Sequence, residues 1–94
     1  MIGGFPKVRQ MKSAKGGSVA NHFIIETNRY TFLQSYDSLV VRVHKRSGRV
    51  SLDRKKWNYS KTTSRYRNLF LNATTKEIKF RIKTGEYKLR NLNE

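Results

Sequence analysis

The chain of 94 residues contains no cysteine, which excludes disulfide bonds and thiolate metal sites and leaves the redox compartment undetermined. Its longest apolar runs are only a few residues, too short to span a membrane. The residues after Met1 include no apolar stretch fit for a secretory signal, so we expect a cytoplasmic protein. Acidic residues occur only six times, which leaves the basic residues largely unbalanced.

Positive charge is the feature that most narrows the choice of partner. Lys and Arg number 21 against six Asp and Glu, a formal net charge of +15. Such an excess opposes compaction through self-repulsion, so a partner outside the chain usually neutralises it. The available polyanions are nucleic acid, an acidic protein surface and an anionic membrane. Nucleic acid is the commonest of these, because each phosphate neutralised by Lys or Arg releases condensed counterions.

Residues 1–20 differ from the rest of the chain in composition. They contain four glycines, the only proline, four basic residues and no acidic one, and they follow neither a helical nor a strand period. We therefore predict a flexible basic arm over 1–20 and a single folded domain over 21–94. The residues of the arm that can lie along phosphates are Lys7, Arg9, Lys12 and Lys15.

Short runs rich in β-branched and aromatic residues predict strands over 22–26, 30–34, 39–44 and 49–53. The last two form the clearest hairpin, with Gly48 available for a positive φ in the turn. Alternation in the first strand of this hairpin places Leu39 and Val41 toward the core and Val40 and Arg42 outward.

Residues 61–73 have the period of an amphipathic helix, which Ser60 or Thr62 can cap. Its apolar stripe consists of Thr62, Tyr66, Leu69, Phe70 and Ala73. Neither this helix nor the next segment combines a wide apolar face with a row of Lys and Arg, so we expect no membrane binding.

Residues 74–85 fit two patterns. Their apolar residues alternate with basic ones, as in a strand, whereas Thr74 and Glu77 have the spacing of a capping box. Together with the favourable pair of Glu77 and Arg81, the capping box favours a short helix. A final short strand is predicted near 87–89. The predicted fold class is α+β, an antiparallel sheet of three to four strands followed by two short helices.

Basic residues cluster on the 39–53 hairpin and at the start of the first helix, and we predict that they form a nucleic-acid-binding surface. Asp53 is the only acid between Arg42 and Lys76, which weakens the explanation that these charges merely face solvent. Arginine forks grip phosphates or guanine edges, and a two-stranded ribbon fits the major groove, so duplex DNA is preferred over RNA. Trp57 either covers the core or stacks on bases. The surface comprises Arg42, Lys45, Arg46, Arg49, Arg54, Lys55, Lys56, Lys61 and Arg65.

No catalytic or metal site is predicted. His22 and His44 are far apart in sequence, and the few carboxylates lack the clustering that a metal-dependent nuclease needs to hold a divalent ion. The glycine pairs near the start of the chain are not a phosphate loop, because no strand precedes them and no Gly-Lys-Ser/Thr follows. We therefore expect no enzymatic activity, no metal and no cofactor.

Several stretches carry a resemblance to known sequences. The most specific is the block Trp57-Asn-Tyr-Ser-Lys-Thr-Thr-Ser-Arg-Tyr66 with residues 67–71 after it, accompanied by 32–36 and 85–93. Together they resemble small uncharacterised proteins encoded by bacteriophages and other mobile elements. This resemblance implies a phage or plasmid origin and a compact sheet-plus-helix domain. It implies no activity, because that family has none assigned.

Three functions are consistent with these features. The first is a non-enzymatic protein of phage origin that binds nucleic acid in the cytoplasm of the host. The alternative is a counter-defence inhibitor, similar to anti-CRISPR proteins, that docks on a host nucleoprotein or nuclease. A nucleic-acid binder shows a steeply salt-dependent affinity, whereas an inhibitor needs its protein target and saturates it stoichiometrically. A virion component packaged beside the genome is a third option.

Overall fold

The computed structural model describes residues 6–93. Their secondary-structure elements are β1 (Lys7–Lys12), β2 (Ser18–Glu26), β3 (Tyr30–Ser35), β4 (Ser38–His44), β5 (Val50–Asp53), α1 (Lys61–Leu71), α2 (Thr75–Lys83) and β6 (Tyr87–Arg90). The six strands lie in one sheet in the order in which they occur along the chain. Neighbours are antiparallel from β1 to β5, and β5 and β6 are parallel.

The sheet is larger than the sequence predicted, and it is mixed. The prediction of three to four antiparallel strands is wrong, because β1 and β6 add a strand at each edge. β6, near the predicted final strand, runs parallel to β5 because the chain crosses over through both helices before it returns to the sheet. The domain is therefore an α+β fold in which a single mixed sheet carries both helices.

The flexible arm predicted over 1–20 is wrong for residues 7–20. β1 pairs with β2 from Lys7 opposite Glu26 to Lys12 opposite Ser18, so the hairpin extends the sheet. Met11 and Val19 anchor it, at 5% and 7% exposure. The register shifts between Gln10 and Lys12, and this irregularity hides the two-residue period of β1 in the sequence. Residues 1–5 of the predicted arm lie outside the described residues.

A β-bulge changes the predicted faces of β4. Leu33 lies opposite Val41 and Gln34 lies opposite Leu39, so Val40 is an extra residue between two paired positions. Val40 and Val41 are both fully buried, because successive residues at a bulge can point to the same face. The prediction that Val40 points outward is therefore wrong. The turn that follows β4 uses Gly48 at a φ of 75°, as predicted.

Both helices pack on one face of the sheet. The core is a row of paired residues that crosses the sheet, in which Leu33, Val41 and Leu52 are fully buried. Ile78 of α2 is also fully buried in this core, and Tyr66 of α1 packs against it. Within residues 6–93, neither helix is long and apolar enough to cross a membrane.

The buried stripe of α1 is rotated from the predicted one. Thr63 and Arg67 are its fully buried residues, whereas Leu69 is 40% exposed and Thr62 is also exposed. The sequence prediction assigned the core to apolar residues and therefore overlooked Arg67. The N-cap of α1 is Ser60, whose hydroxyl accepts a hydrogen bond from the Thr63 backbone N–H.

The helix favoured for residues 74–85 is confirmed as α2. Thr74 caps it through a hydrogen bond from the Glu77 N–H to the Thr74 hydroxyl, and the Glu77 carboxylate accepts one from the Thr74 N–H. This reciprocal pair satisfies two backbone donors at the start of the helix. The backbone hydrogen bond from Thr74 is the main cause that lowers the pKa of Glu77 below its ordinary value.

Arg67 connects α1 to the preceding loop and to the start of α2. Its guanidinium donates to the Trp57 carbonyl oxygen at 2.6 Å, to Asn58 Oδ1 at 3.0 Å, to Asn68 Oδ1 at 2.8 and 3.1 Å and to Thr75 Oγ1 at 2.9 Å. The guanidinium also lies 5.2 Å from the centre of the Trp57 ring. No carboxylate belongs to this set of acceptors, and burial lowers the pKa of Arg67 from its ordinary value.

Substitution of Arg67 tests this network. We expect Arg67→Ala to lower the free energy of unfolding by about 3 kcal/mol, because it leaves a cavity and removes the donors from buried oxygen atoms. Arg65→Ala is the matched control, since Arg65 is exposed on the same helix, and we expect it to change stability by less than about 0.5 kcal/mol. Urea unfolding of both variants measures the difference, and equal losses would contradict the role of Arg67.

The capping box generates a prediction about pH. Because its pKa is lowered in the folded chain, ionised Glu77 contributes stability that is present above the unfolded pKa and is lost as pH falls through the folded pKa. Glu77→Gln should therefore lower the melting temperature near pH 7 and have little effect near about pH 3. Ser60→Ala, which removes the N-cap of α1, is the control, because its loss of about 1 kcal/mol involves no ionisable group and persists at both pH values. A Glu77→Gln effect undiminished in acid would contradict this assignment.

Candidate nucleic-acid interface

The face of the sheet opposite the helices is the candidate interface, and we call it the open face. Among residues 6–93, no helix packs on it. Strand alternation places on this face the residues that lie between those of the core. One row of directly paired residues crosses all six strands on the open face and consists of Val8, Ile25, Phe32, Arg42, Ser51 and Lys88.

A basic groove occupies the part of the open face formed by β4, β5 and β6. It is a cavity of about 670 Å³ whose lining includes four cationic side chains, Arg42, Arg49, Lys88 and Arg90. Among residues 6–93, the acidic residue in its lining is Glu86. We call this cavity the basic groove. It joins residues that are nearly 50 positions apart in the chain, because β6 pairs with β5.

Aromatic rings line the side of the basic groove that faces β3. The Arg42 guanidinium lies 4.8 Å from the centre of the Tyr30 ring, a cation–π contact. The rings of Tyr30 and His44 are 5.2 Å apart and nearly perpendicular, at 87°. The centres of the Tyr30 and Phe32 rings are 5.8 Å apart. Arg42 therefore sits at the boundary between an aromatic group and a basic one.

The few acids of the chain neutralise cations outside the centre of the groove. Arg9 and Lys45 both pair with Glu26. The hydrogen bond from Arg9 is the main cause that lowers the pKa of Glu26 below its ordinary value, and the one from Lys45 is the second. Glu86 pairs with Arg81 at 3.7 Å. These are the ion pairs among residues 6–93, and none of them includes one of the four cations of the basic groove.

Other carboxylates are occupied by backbone groups. Asp53 is 2% exposed and accepts hydrogen bonds from the N–H groups of Lys55, Lys56 and Leu92. The Glu77 carboxylate caps α2. These acids stabilise turns and helix ends, so they leave the positive potential of the basic groove in place.

The predicted binding residues divide among separate places. Arg42 and Arg49 lie in the basic groove, as members of one surface. Lys45 and Arg46 lie at the β4–β5 turn, where they line a second, smaller cavity with Arg29. The two groups are adjacent, because His44 lines both cavities.

The predicted residues on the helical side do not join the groove. Lys61 and Arg65 belong to α1, which packs on the opposite face of the sheet. The loop between β5 and α1 carries three more, Arg54, Lys55 and Lys56. The hairpin and the helix therefore do not form one continuous surface.

The predicted basic residues near the start of the chain belong to the first hairpin. Lys7, Arg9 and Lys12 are exposed on the edge strand β1, and Lys15 is exposed in the turn that follows. Lys12 Nζ lies 3.3 Å from the Ser18 hydroxyl. These side chains are displayed by an ordered strand rather than by a flexible arm.

Trp57 is positioned by the core. It is partly buried and packs against the core cluster, and the Arg67 guanidinium lies against its ring. Of the two roles considered from the sequence, the geometry matches the covering of the core. The aromatic side chains of the open face instead include Phe23, Tyr30 and Phe32.

Sequence reasoning overlooked Lys88 and Arg90 as candidate site residues. In β6, Lys88 and Arg90 alternate with Tyr87 and Leu89, so they lie on the face opposite the core. This assignment requires knowing that β6 is a strand. The sequence carries no local indication that β6 pairs with β5, because parallel pairing across two helices depends on long-range packing.

A buried chain of hydroxyl and imidazole groups lies beneath α1. Thr63 Oγ1 is 2.8 Å from Ser35 Oγ, which is 3.0 Å from His22 Nε2. His22 Nδ1 is 2.9 Å from the Ala20 carbonyl oxygen, which can only accept, so Nδ1 donates and Nε2 accepts from Ser35. A nucleophilic serine beside a base has this pairing. Here all three side chains are at most 1% exposed, so the chain connects α1 to the sheet and no substrate reaches it.

Comparison with known proteins gives one match. A family model described as a family of unknown function (DUF8033) matches residues 7–86. Neither the curated proteins nor the solved structures contain a match. The matched segment runs from β1 to the turn before β6. Within residues 6–93, no group of three or more His, Asp or Glu side chains is placed to hold a metal ion.

Proposed function

The chain belongs to this family of unknown function, and we propose that it is a non-enzymatic protein that binds nucleic acid through the basic groove. The observation that carries the proposal is the convergence of Arg42, Arg49, Lys88 and Arg90 on one cavity. Among the described residues, none of these four cations has a carboxylate ion-pair partner. A polyanion supplies the missing negative charge.

Phosphate suits the chemistry of the groove. Three of its four cations are arginines, and guanidinium forks grip phosphate oxygens in bidentate fashion. Arg42 and Lys88 are separated by one intervening strand, and therefore by roughly 10 Å across the sheet. The four cations carry more positive charge than one phosphate can neutralise, so a chain of phosphates fits the groove better than an isolated anion.

The proposal differs from the sequence interpretation in the surface that it uses. The preference for duplex DNA rested on the arginine-rich hairpin, and the predicted surface joined this hairpin to the first helix. The helix packs on the face of the sheet opposite the basic groove, so the predicted surface is not continuous. The basic groove alone supports the present proposal. The origin in a phage or mobile element, carried by the block from Trp57 to Tyr66, and action in the cytoplasm of the host are parts of the same proposal.

Charge reversal in the basic groove tests the proposal. Arg49→Glu/Lys88→Glu should weaken binding to fluorescein-labelled DNA or RNA by about tenfold or more, because it removes two phosphate contacts. The slope of log affinity against log salt should fall in magnitude by about 1.5. Fluorescence anisotropy across a salt series measures both quantities.

The matched control is Lys76→Glu/Lys79→Glu. These lysines are exposed on α2, on the other side of the sheet, and the double change alters the net charge by the same amount. We expect only a small, uniform loss of affinity from this control. Equal losses in the two double variants would contradict a localised site. If the wild-type protein shows no salt-dependent binding to any nucleic acid, the proposal is wrong and the charge serves a protein partner.

A further inference from the structure

The open face is divided into an apolar half and a basic half. Along the row that crosses the sheet, the residues from β1 to β3 are Val8, Ile25 and Phe32, and the cations Arg42 and Lys88 follow on β4 and β6. The division therefore falls between β3 and β4. Each half has a different chemistry, and the two halves are continuous.

We infer that the open face binds single-stranded nucleic acid, with bases on the apolar half and phosphates in the basic groove. The inference rests on the proposed function and specifies its ligand. Unpaired bases expose flat apolar faces that stack on aromatic side chains. A duplex hides these faces in its own base stack and presents phosphates and base edges, so it has no group that suits the apolar half.

The apolar half is accessible in the described part of the chain. Val8 is 63% exposed, and Phe23, Ile25 and Phe32 are only partly buried although they lie near the middle of the sheet. Among residues 6–93, no helix covers them. An uncovered group of apolar and aromatic side chains beside strong positive charge marks a ligand that combines apolar surface with negative charge. Single-stranded nucleic acid has this combination in every nucleotide.

The boundary between the halves contains a connected set of rings. Phe32 lies 5.8 Å from Tyr30, and the Arg42 guanidinium lies 4.8 Å above the Tyr30 ring. A guanidinium can stack on a base with its plane and bind a phosphate with its edge. Arg42 is therefore placed to contact both parts of one nucleotide, while Phe32 receives a neighbouring base.

Binding to three probes of the same sequence tests the inference. The probes are single-stranded DNA, single-stranded RNA and duplex DNA of about 12 nucleotides, which is within the length that a single-strand-binding domain covers. At equal salt, we expect the preferred single-stranded probe to bind at least about tenfold more tightly than the duplex. The comparison of DNA with RNA identifies which sugar the site prefers, since both present the same base faces and phosphates.

Substitution of Phe32 tests the role of the apolar half. Phe32→Leu keeps an apolar side chain but removes the ring, and we expect it to weaken single-strand binding by about fivefold or more without changing the salt slope. Phe80→Leu is the matched control, because Phe80 is 64% exposed on α2, and it should leave affinity unchanged. Thermal unfolding verifies that both variants are folded.

A second measurement on the wild-type protein needs no substitution. Photocrosslinking of a single strand that carries 5-iodouridine or its deoxy form, followed by mass spectrometry, should give adducts at Phe23, Tyr30 or Phe32. Adducts confined to Tyr59 or Phe80 would overturn the inference. Duplex binding that is as tight as single-strand binding or tighter, and that Phe32→Leu does not weaken, would also overturn the inference. In that case a loss of affinity in Arg49→Glu/Lys88→Glu would still support the proposed function. Absence of binding to all three probes would overturn both.

Discussion

A buried guanidinium with only neutral acceptors holds the helical layer in place. Arg67 is fully buried, and its five hydrogen bonds join the loop before α1, α1 itself and the first residue of α2. Burial of a charge is unfavourable unless its donors are satisfied, so the geometry of these acceptors is tightly constrained. These hydrogen bonds fix the two helices relative to each other, while Ile78 and Tyr66 pack them on one face of the sheet. The character of the other face, and with it the candidate site, follows from this arrangement.

Three of the few carboxylates have a local structural task. Glu26 pairs with Arg9 of β1 and Lys45 of the β4–β5 turn, Asp53 orders the backbone around the end of β5, and Glu77 caps α2. Little negative charge is left for the basic groove, and mutual repulsion among its cations opposes folding. A ligand that binds only the folded chain and neutralises these cations offsets this repulsion. The same surplus of charge therefore weakens the isolated domain and favours the anionic partner that we propose.

Local patterns predicted the elements whose formation depends on neighbouring residues, such as the 39–53 hairpin and the capped helix α2. They failed where pairing is interrupted or distant. The register shift in β1 masked its two-residue period in the sequence, and the bulge in β4 placed Val40 in the core. No local pattern predicts that β6 pairs with β5 in parallel. For the same reason the sequence identified half of the groove cations, Arg42 and Arg49. The burial of Arg67 was unpredictable because arginine is rarely found inside a core.

The parallel position of β6 bears on the order in which the molecule folds. β6 reaches its place beside β5 only through a crossover that contains both helices, so this pairing closes a long loop. Contacts that close long loops form late, because their entropy must be overcome before they contribute stability. We therefore expect the antiparallel strands and helices to assemble before the groove acquires Lys88 and Arg90. A chain that has not yet placed β6 has only two of the four groove cations, Arg42 and Arg49, so the positive potential of the groove depends on the pairing that closes the longest loop.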